Sequence, residues 1–280
     1  MTQILDGKKL RDKLLEQIKK EIERFSVKPS LAVILVGEDA ASKIYVNNKK
    51  KTAEKLGITS SVIKYDENID EQVIIEKIKE LNEDKNIHAI LVQLPLPAHL
   101  DKNKIINCIS PIKDVDCFTF ENYGKLASGQ EPAVYPCTPN GILLLLEEYG
   151  INLDGKNVVV VGRSNLVGKP MALLAMKKNA TVTICHSHTK NLAEVTKNAD
   201  ILICATGHPI ITREMVKQGA VIVDVGIFKD ENNKLRGDVD FEVVKDDTSY
   251  ISPVPGGVGP MTIASLMLNT LKLFKAQQNL

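Results

Sequence analysis

The chain has 280 residues, long enough for two modest domains that each bury a core. Its 36 Lys and Arg against 35 Asp and Glu leave a formal charge of +1, which excludes the global electrostatic footprint of a nucleic-acid binder or of a protein held on an anionic membrane. Five cysteines (Cys108, Cys117, Cys137, Cys185, Cys204), odd in number and without a C-x-x-C pair, point to reduced thiols in the cytoplasm, and no metal site is expected.

The first 25 residues are amphipathic and charged, unlike a secretory signal, and no run approaches membrane-spanning length. Short apolar runs then alternate with stretches of helical period, the pattern of an α/β protein with parallel sheets. Strands are predicted at 31–37, 60–65 and 88–94, with helices at 41–56 and 70–84 between them. A helix at 143–149 ends at Gly150, and strands at 157–162, 181–185, 200–206 and 220–226 repeat the scheme. A last helix is predicted at 261–275, after a Pro/Gly-rich loop. The expected architecture is two α/β domains flanking a cleft, the C-terminal one a Rossmann-type dinucleotide-binding domain. The division is expected to be 1–140 with the C-terminal helix 261–280 against 141–260, with ligand in the cleft.

The nucleotide site is predicted where "GRSNLVGKP", Gly162 to Pro170, follows a buried strand and opens a helix. Glycine at such a turn lets backbone amides approach a phosphate at the positive end of the helix. The motif is not G-x-G-x-x-G, because Ser164 stands at the second glycine, and an ordinary tight turn fits the loop equally well. After the second strand of an NAD site a carboxylate usually holds the ribose hydroxyls. This chain has "CHSHTK", Cys185 to Lys190, with no acid, and Arg163 in the phosphate loop, which favours NADP. His186 and His188 lack carboxylate or cysteine partners and read as loop residues.

The stretch "IYVNNKKK", Ile44 to Lys51, contains three consecutive lysines. At about 100° per residue, Ser42, Tyr45, Val46, Lys49, Thr52, Ala53 and Leu56 share one stripe, while Lys43, Lys50, Lys51 and Lys55 fall outside it. Lys49 is therefore the one lysine of the five on the packing face, one turn from Tyr45. The alternative is a lysine stem lying along apolar surface with its ammonium in water. Gln93 closes a predicted strand, and "KDVDCF" sets Asp114 and Asp116 in a loop, although the amide could equally edge a core and the acids form a turn.

Taken in order, "YVNNK" (45–49), "VQLPLP" (92–97), "KDVD" (113–116), "PCTP" (136–139), "VVGRSNLVGKP" (160–170), "GDVD" (237–240) and "PVPGGVGPMT" (253–262) resemble the bifunctional methylenetetrahydrofolate dehydrogenase/methenyltetrahydrofolate cyclohydrolase family. The resemblance implies NADP-dependent oxidation of methylenetetrahydrofolate, then hydrolysis of the methenyl product to formyltetrahydrofolate, in a homodimer built through the nucleotide domain. It implies that Lys49 is the catalytic lysine, with Tyr45 against the folate ring system, Gln93 bonded to the lysine and Asp116 on the pterin, all four counted as catalytic. Ser42, Pro255, Gly256 and Gly257 complete the implied substrate site. The implied cofactor residues are Gly162, Arg163, Ser164, Val167, Gly168, Ser187, Thr206, Ile227 and Gly257. Cys117 stands where glycine commonly follows the aspartate, and Asn140 where lysine commonly follows "PCTP". Two rival readings are another two-domain NADP dehydrogenase with a shikimate-like substrate, and a nucleotide-sensing regulator that has lost catalysis.

Overall fold

The computed structural model describes residues 1–280. In chain order its elements are β1 (Gln3–Ile4), α1 (Gly7–Glu23), β2 (Ser30–Val36), α2 (Ala40–Leu56), β3 (Thr59–Tyr65), α3 (Glu71–Glu83), β4 (Ala89–Val92), α4 (Lys102–Ile106), α5 (Phe120–Ala127) and α6 (Cys137–Glu148). There follow β5 (Asn157–Val161), α7 (Gly168–Lys177), β6 (Thr181–Cys185), α8 (Leu192–Thr196), β7 (Ile201–Cys204), β8 (Ala220–Asp224), β9 (Phe228–Lys229), β10 (Leu235–Arg236), α9 (Phe241–Val244), β11 (Thr248–Ile251) and α10 (Val258–Gln278). The chain divides into two units, one of residues 13–137 and 263–280, the other of residues 1–12 and 138–262.

The first of these holds a three-stranded parallel sheet in the order β3-β2-β4. All seven residues of β2 are buried. Because side chains alternate across a strand, Leu31, Val33 and Leu35 enter one core with Val46 and Leu56 of α2 and Phe274 of α10, whereas Ala32, Ile34 and Val36 enter a second with Ile74, Ile75 and Ile78 of α3. A strand covered on both faces reads as a continuous apolar run, which is why "LAVILV" stands out in the sequence. The chain leaves β2 for β3 on one side and returns to β4 on the other, so loops after β2 and β4 diverge at the carboxyl edge.

The second unit repeats the device. Its six-stranded sheet, β1-β11-β8-β7-β5-β6, is parallel throughout, and β5 lies between β6 and β7 as β2 lies between β3 and β4. Residues 1–12 were expected with the first half of the chain. They group instead with this unit, because β1 hydrogen-bonds in parallel to β11. A strand of two exposed residues leaves no period to read in sequence. Helices α6 and α10 also begin before the expected 143 and 261, at Cys137 and Val258, since Pro139 and Pro260, which read as breakers in sequence, sit in their first turns, where proline is tolerated.

Candidate active site

Helix α2 is bounded by Asp39, whose Oδ1 accepts the Ser42 N–H at 2.7 Å, and by Gly57 in the left-handed conformation at φ 81°. Its buried residues are Ser42, Val46, Lys49, Ala53 and Leu56, five of the seven on the predicted stripe, with Thr52 half-buried and Tyr45 exposed. Lys49 is 8% exposed, and its Nζ donates to Gln93 Oε1 at 3.0 Å. Gln93 extends the ladder beyond β4, its backbone N–H donating to Ile34 at 2.9 Å, while its side-chain amide donates to its neighbour Leu94 at 2.7 Å. The Gln93 oxygen is thereby aimed at the lysine. Tyr45, at 38% exposed, presents much of its ring outward, and burial of the remainder pushes its hydroxyl above the usual phenol range.

Asp114 and Asp116 separate into two roles. Asp114 is 1% exposed and accepts the Phe118 and Thr119 N–H groups at 3.1 and 2.9 Å, the Thr119 hydroxyl at 2.8 Å and the Asn122 amide at 3.0 Å. Its oxygens are spent on the loop and the start of α5, so it is a turn former. Asp116 is half-buried beside Lys49. Burial pushes its carboxyl up, opposed by the Lys49 charge and by the adjoining Cys137 thiol. Cys117 adopts φ 60°, the left-handed region that glycine enters without a Cβ penalty, with its side chain fully buried. The chain turns at this point, directly after Asp116.

In the other unit, β5 runs into Gly162 at φ 128°, where a Cβ would lie 2.4 Å from the Ala205 carbonyl oxygen. A Cβ on Gly168 would lie 2.1 Å from the Gly162 carbonyl oxygen, so strand and helix close together only with glycine at 168, while glycine at 162 lets the turn approach the segment after β7. Ser164 Oγ accepts from Val167 N at 3.1 Å and Gly168 N at 3.4 Å, which shapes the entry to α7. A cavity of about 440 Å³ opens here, at the carboxyl ends of β5, β6 and β7. Gly162, Arg163, Ser164, Ser187 and Thr206 line it, together with His186 and His208. Val167 and Gly168 begin α7 behind the loop, and Ile227 and Gly257 do not line the cavity. Pro255, Gly256 and Gly257 lie in this same unit, in a loop tied to the start of α1 by Lys8 N donating to Gly256 O at 3.1 Å.

The sequence model of the tetrahydrofolate dehydrogenase/cyclohydrolase catalytic domain matches residues 5–116, and that of the same family's NAD(P)-binding domain matches residues 136–278. The chain belongs to the tetrahydrofolate dehydrogenase/cyclohydrolase family. The bifunctional protein FolD of Aquifex aeolicus is 54% identical over 98% of this chain and 96% of its own. A crystal structure of the bifunctional enzyme FolD from Campylobacter jejuni superimposes with a TM-score of 0.97 at 46% identity, covering 99% of both chains. The Trypanosoma brucei dehydrogenase-cyclohydrolase, complexed with NADP cofactor and inhibitor, gives a TM-score of 0.95 at 35% identity, over 100% of this chain and 99% of that one.

Within the family's NAD(P)-binding domain, a buried pair of acids has no counterpart among the residues singled out from sequence. Asp238, fully buried, takes the Thr206 N–H at 2.5 Å and the Thr206 hydroxyl at 2.9 Å on Oδ2, so it holds the loop that follows β7 against the cavity. Asp224 accepts from the N–H groups of Asp238 at 2.9 Å, Val239 at 3.0 Å and Gly226 at 3.1 Å. Burial raises its carboxyl to about 7, a rise that those backbone donors oppose and the Asp238 charge assists. The available signal was "DVG" and "GDVD", in which acids flank glycines. Gly237 and Gly226 lack the Cβ that would strike Asp224 and Asp238.

Proposed function

We propose that the chain oxidises methylenetetrahydrofolate with NADP and hydrolyses the methenyl product to formyltetrahydrofolate, with folate held by the unit of residues 13–137 and 263–280. The observation that carries this reading is the buried Lys49 side chain, whose Nζ donates to the Gln93 oxygen at 3.0 Å, in the segment matched by the catalytic-domain model. Ser42 lies one turn before Tyr45 and two before Lys49 on the same face, and Tyr45 offers a ring for the folate. The Asp116 carboxylate is the acceptor for pterin N–H groups, and the Lys49 charge favours its ionised form.

The nucleotide cavity fits NADP. Gly162 and Gly168 bring backbone close to where a pyrophosphate would lie, and Arg163 and Ser187 offer a cation and a hydroxyl to a ribose phosphate where no acid opposes it. When bound, the nicotinamide accepts hydride from the one-carbon bridge. The chain's own residues hold the donor carbon in line, which is the larger part of catalysis in such a step. In the hydrolytic step, water adds to the methenyl carbon and loses a proton, the ring carbon–nitrogen bond breaks, and the freed nitrogen takes a proton. Lys49 Nζ, as the neutral amine, takes the proton that the water loses and, as the ammonium, gives it to the freed nitrogen, with Gln93 fixing the direction of its N–H groups.

The chain acts as a homodimer in the cytoplasm. β6 ends the six-stranded sheet, and Ile184 on it is 40% exposed, a free edge suited to a second copy, while the five unpaired cysteines suit a reducing compartment. No helix is long and apolar enough to cross a membrane. Purified protein given methylenetetrahydrofolate and NADP should produce NADPH and methenyl absorbance, followed by decay of the methenyl signal. Absence of both signals in folded protein would remove the reading. Light scattering should give twice the chain mass, and a monomer would remove the dimer.

A further inference from the structure

Three consecutive residues before Asp116 are each tied to a different helix. Lys113 Nζ donates to the carbonyls of Leu81 at 2.9 Å and Asp84 at 2.8 Å, at the end of α3. Asp114 is consumed at the start of α5, as described. The Val115 carbonyl accepts from Asn269 Nδ2 of α10 at 2.9 Å. The main chain therefore reaches Asp116 with its position already set from three directions.

Asn269 is unlike the other two ties. It is 3% exposed, in the leucine-rich run "SLMLNTLKLF", and its amide also donates to the Tyr135 carbonyl at 2.8 Å and lies 3.4 Å from Cys137 Sγ. Two N–H groups facing three acceptors leave that amide no spare donor. The Cys137 thiol donates to the Val115 carbonyl at 3.6 Å and lies against the Asp116 carboxylate. One side chain thus reaches Asp116 along two routes, through the peptide that precedes it and through the thiol against it. The linear order of the chain hides this, because Asn269 falls in the stretch matched by the NAD(P)-binding model while α10 from Ile263 onward packs with the catalytic unit.

We infer that Asn269 is a positioning residue for the folate site, fixing the Asp116 carboxylate relative to Lys49 through the Val115 carbonyl and the Cys137 thiol. The inference rests on the role proposed above for Asp116. It is tested by a double-mutant cycle in the full-length protein, titrating 5-formyltetrahydrofolate and NADP calorimetrically into wild type, Asn269→Ala, Asp116→Asn and the double variant. Asn269→Ala should weaken 5-formyltetrahydrofolate about tenfold while leaving NADP within about twofold, and it should add little once Asp116 is already Asn. A residue that only supports the fold would give effects that multiply, or would weaken both ligands alike. Either result, or unchanged folate binding in Asn269→Ala, overturns the inference. Normal folate binding by Asp116→Asn would overturn the Asp116 role and this inference together, whereas multiplying effects overturn this inference alone. Should Asn269→Ala not give a cooperative thermal transition, Asn269→Ser, which keeps one donor, enters the same cycle under the same criteria.

Discussion

Lys49 and Lys50 are adjacent in sequence and opposite in environment. Lys49 is 8% exposed and bonded to Gln93, whereas Lys50 points outward on the helix surface, 3.8 Å from Glu54. A surface pair of that kind contributes little, because water screens it. Lys49→Gln should lower cyclohydrolase turnover by roughly 10²–10⁴, the usual worth of a proton-transfer group. Dehydrogenase activity should remain measurable, since hydride transfer needs alignment more than a base. Lys50→Gln should leave both steps near wild type, as initial-rate assays of each step on both variants will report. Arg163 raises a similar question for the cofactor. It lines the nucleotide cavity at the end of β5 with no acid beside Ser187 to favour an unphosphorylated ribose. Losing a charge-assisted contact costs about 1.5–3 kcal/mol, so Arg163→Ala should weaken NADP roughly 10- to 100-fold and NAD far less. The ratio of the two specificity constants measures this, and parallel losses would take Arg163 off the phosphate.

At the scale of elements, the nucleotide site is built by the close approach of β5 and α7. Adding a methyl at Gly168 puts it 2.1 Å from a backbone oxygen of Gly162, and backbone cannot rotate aside as a side chain does. Gly168→Ala should therefore destabilise by more than about 2 kcal/mol and weaken NADP even in the folded fraction. Gly150 ends α6 at φ 68° with nothing within 4 Å of where a methyl would sit, so Gly150→Ala carries only left-handed strain of about 1–2 kcal/mol and should leave NADP affinity intact. Thermal denaturation with NADP titration separates the two. A Gly168→Ala protein that binds NADP normally would show that the β5–α7 junction can widen without cost to the site.

For the whole molecule, a formal charge of +1 leaves little global charge repulsion, so the pH dependence of stability is set by a few buried groups. Asp224 is one. Its carboxyl is raised in the folded protein to about 7 from an ordinary value of 3.8. The folded state then holds a proton that the unfolded state releases between those two values. The stabilisation is complete below the unfolded value and is lost as pH rises through about 7. His88, whose ring burial holds below the usual imidazole range, contributes the opposite slope. Asp224→Asn retains His88, so the difference between the two proteins isolates Asp224. The variant should be less stable overall, because its amide turns a donor toward backbone N–H groups, and its midpoint should fall less between pH 5 and pH 8. Each kcal/mol of that difference corresponds to about 2 °C at this size. Parallel pH profiles would show that Asp224 ionises in the folded state as it does in solution.

Continuous apolar runs announce β2, β4, β5, β7 and β8, because a strand covered on both faces has no polar side to interrupt it. The helical period alone separates Lys49 from its neighbours, since 3.6 residues per turn leave one lysine of five on the packed face. The glycines at Gly162 and Gly168 likewise mark their turn, as no other residue allows so close an approach. Contacts that join distant parts of the chain left no such mark. The Lys49–Gln93 bond spans 44 residues, the Asn269–Val115 bond 154, and β1 pairs with β11 across almost the whole chain. Asp114 and Asp116 are the same residue type two apart in one motif, and only their surroundings make one a loop brace and leave the other beside a lysine. Local period and steric demand are written in each segment by itself, whereas a hydrogen-bond partner or a burial depth exists only once the segments have been brought together.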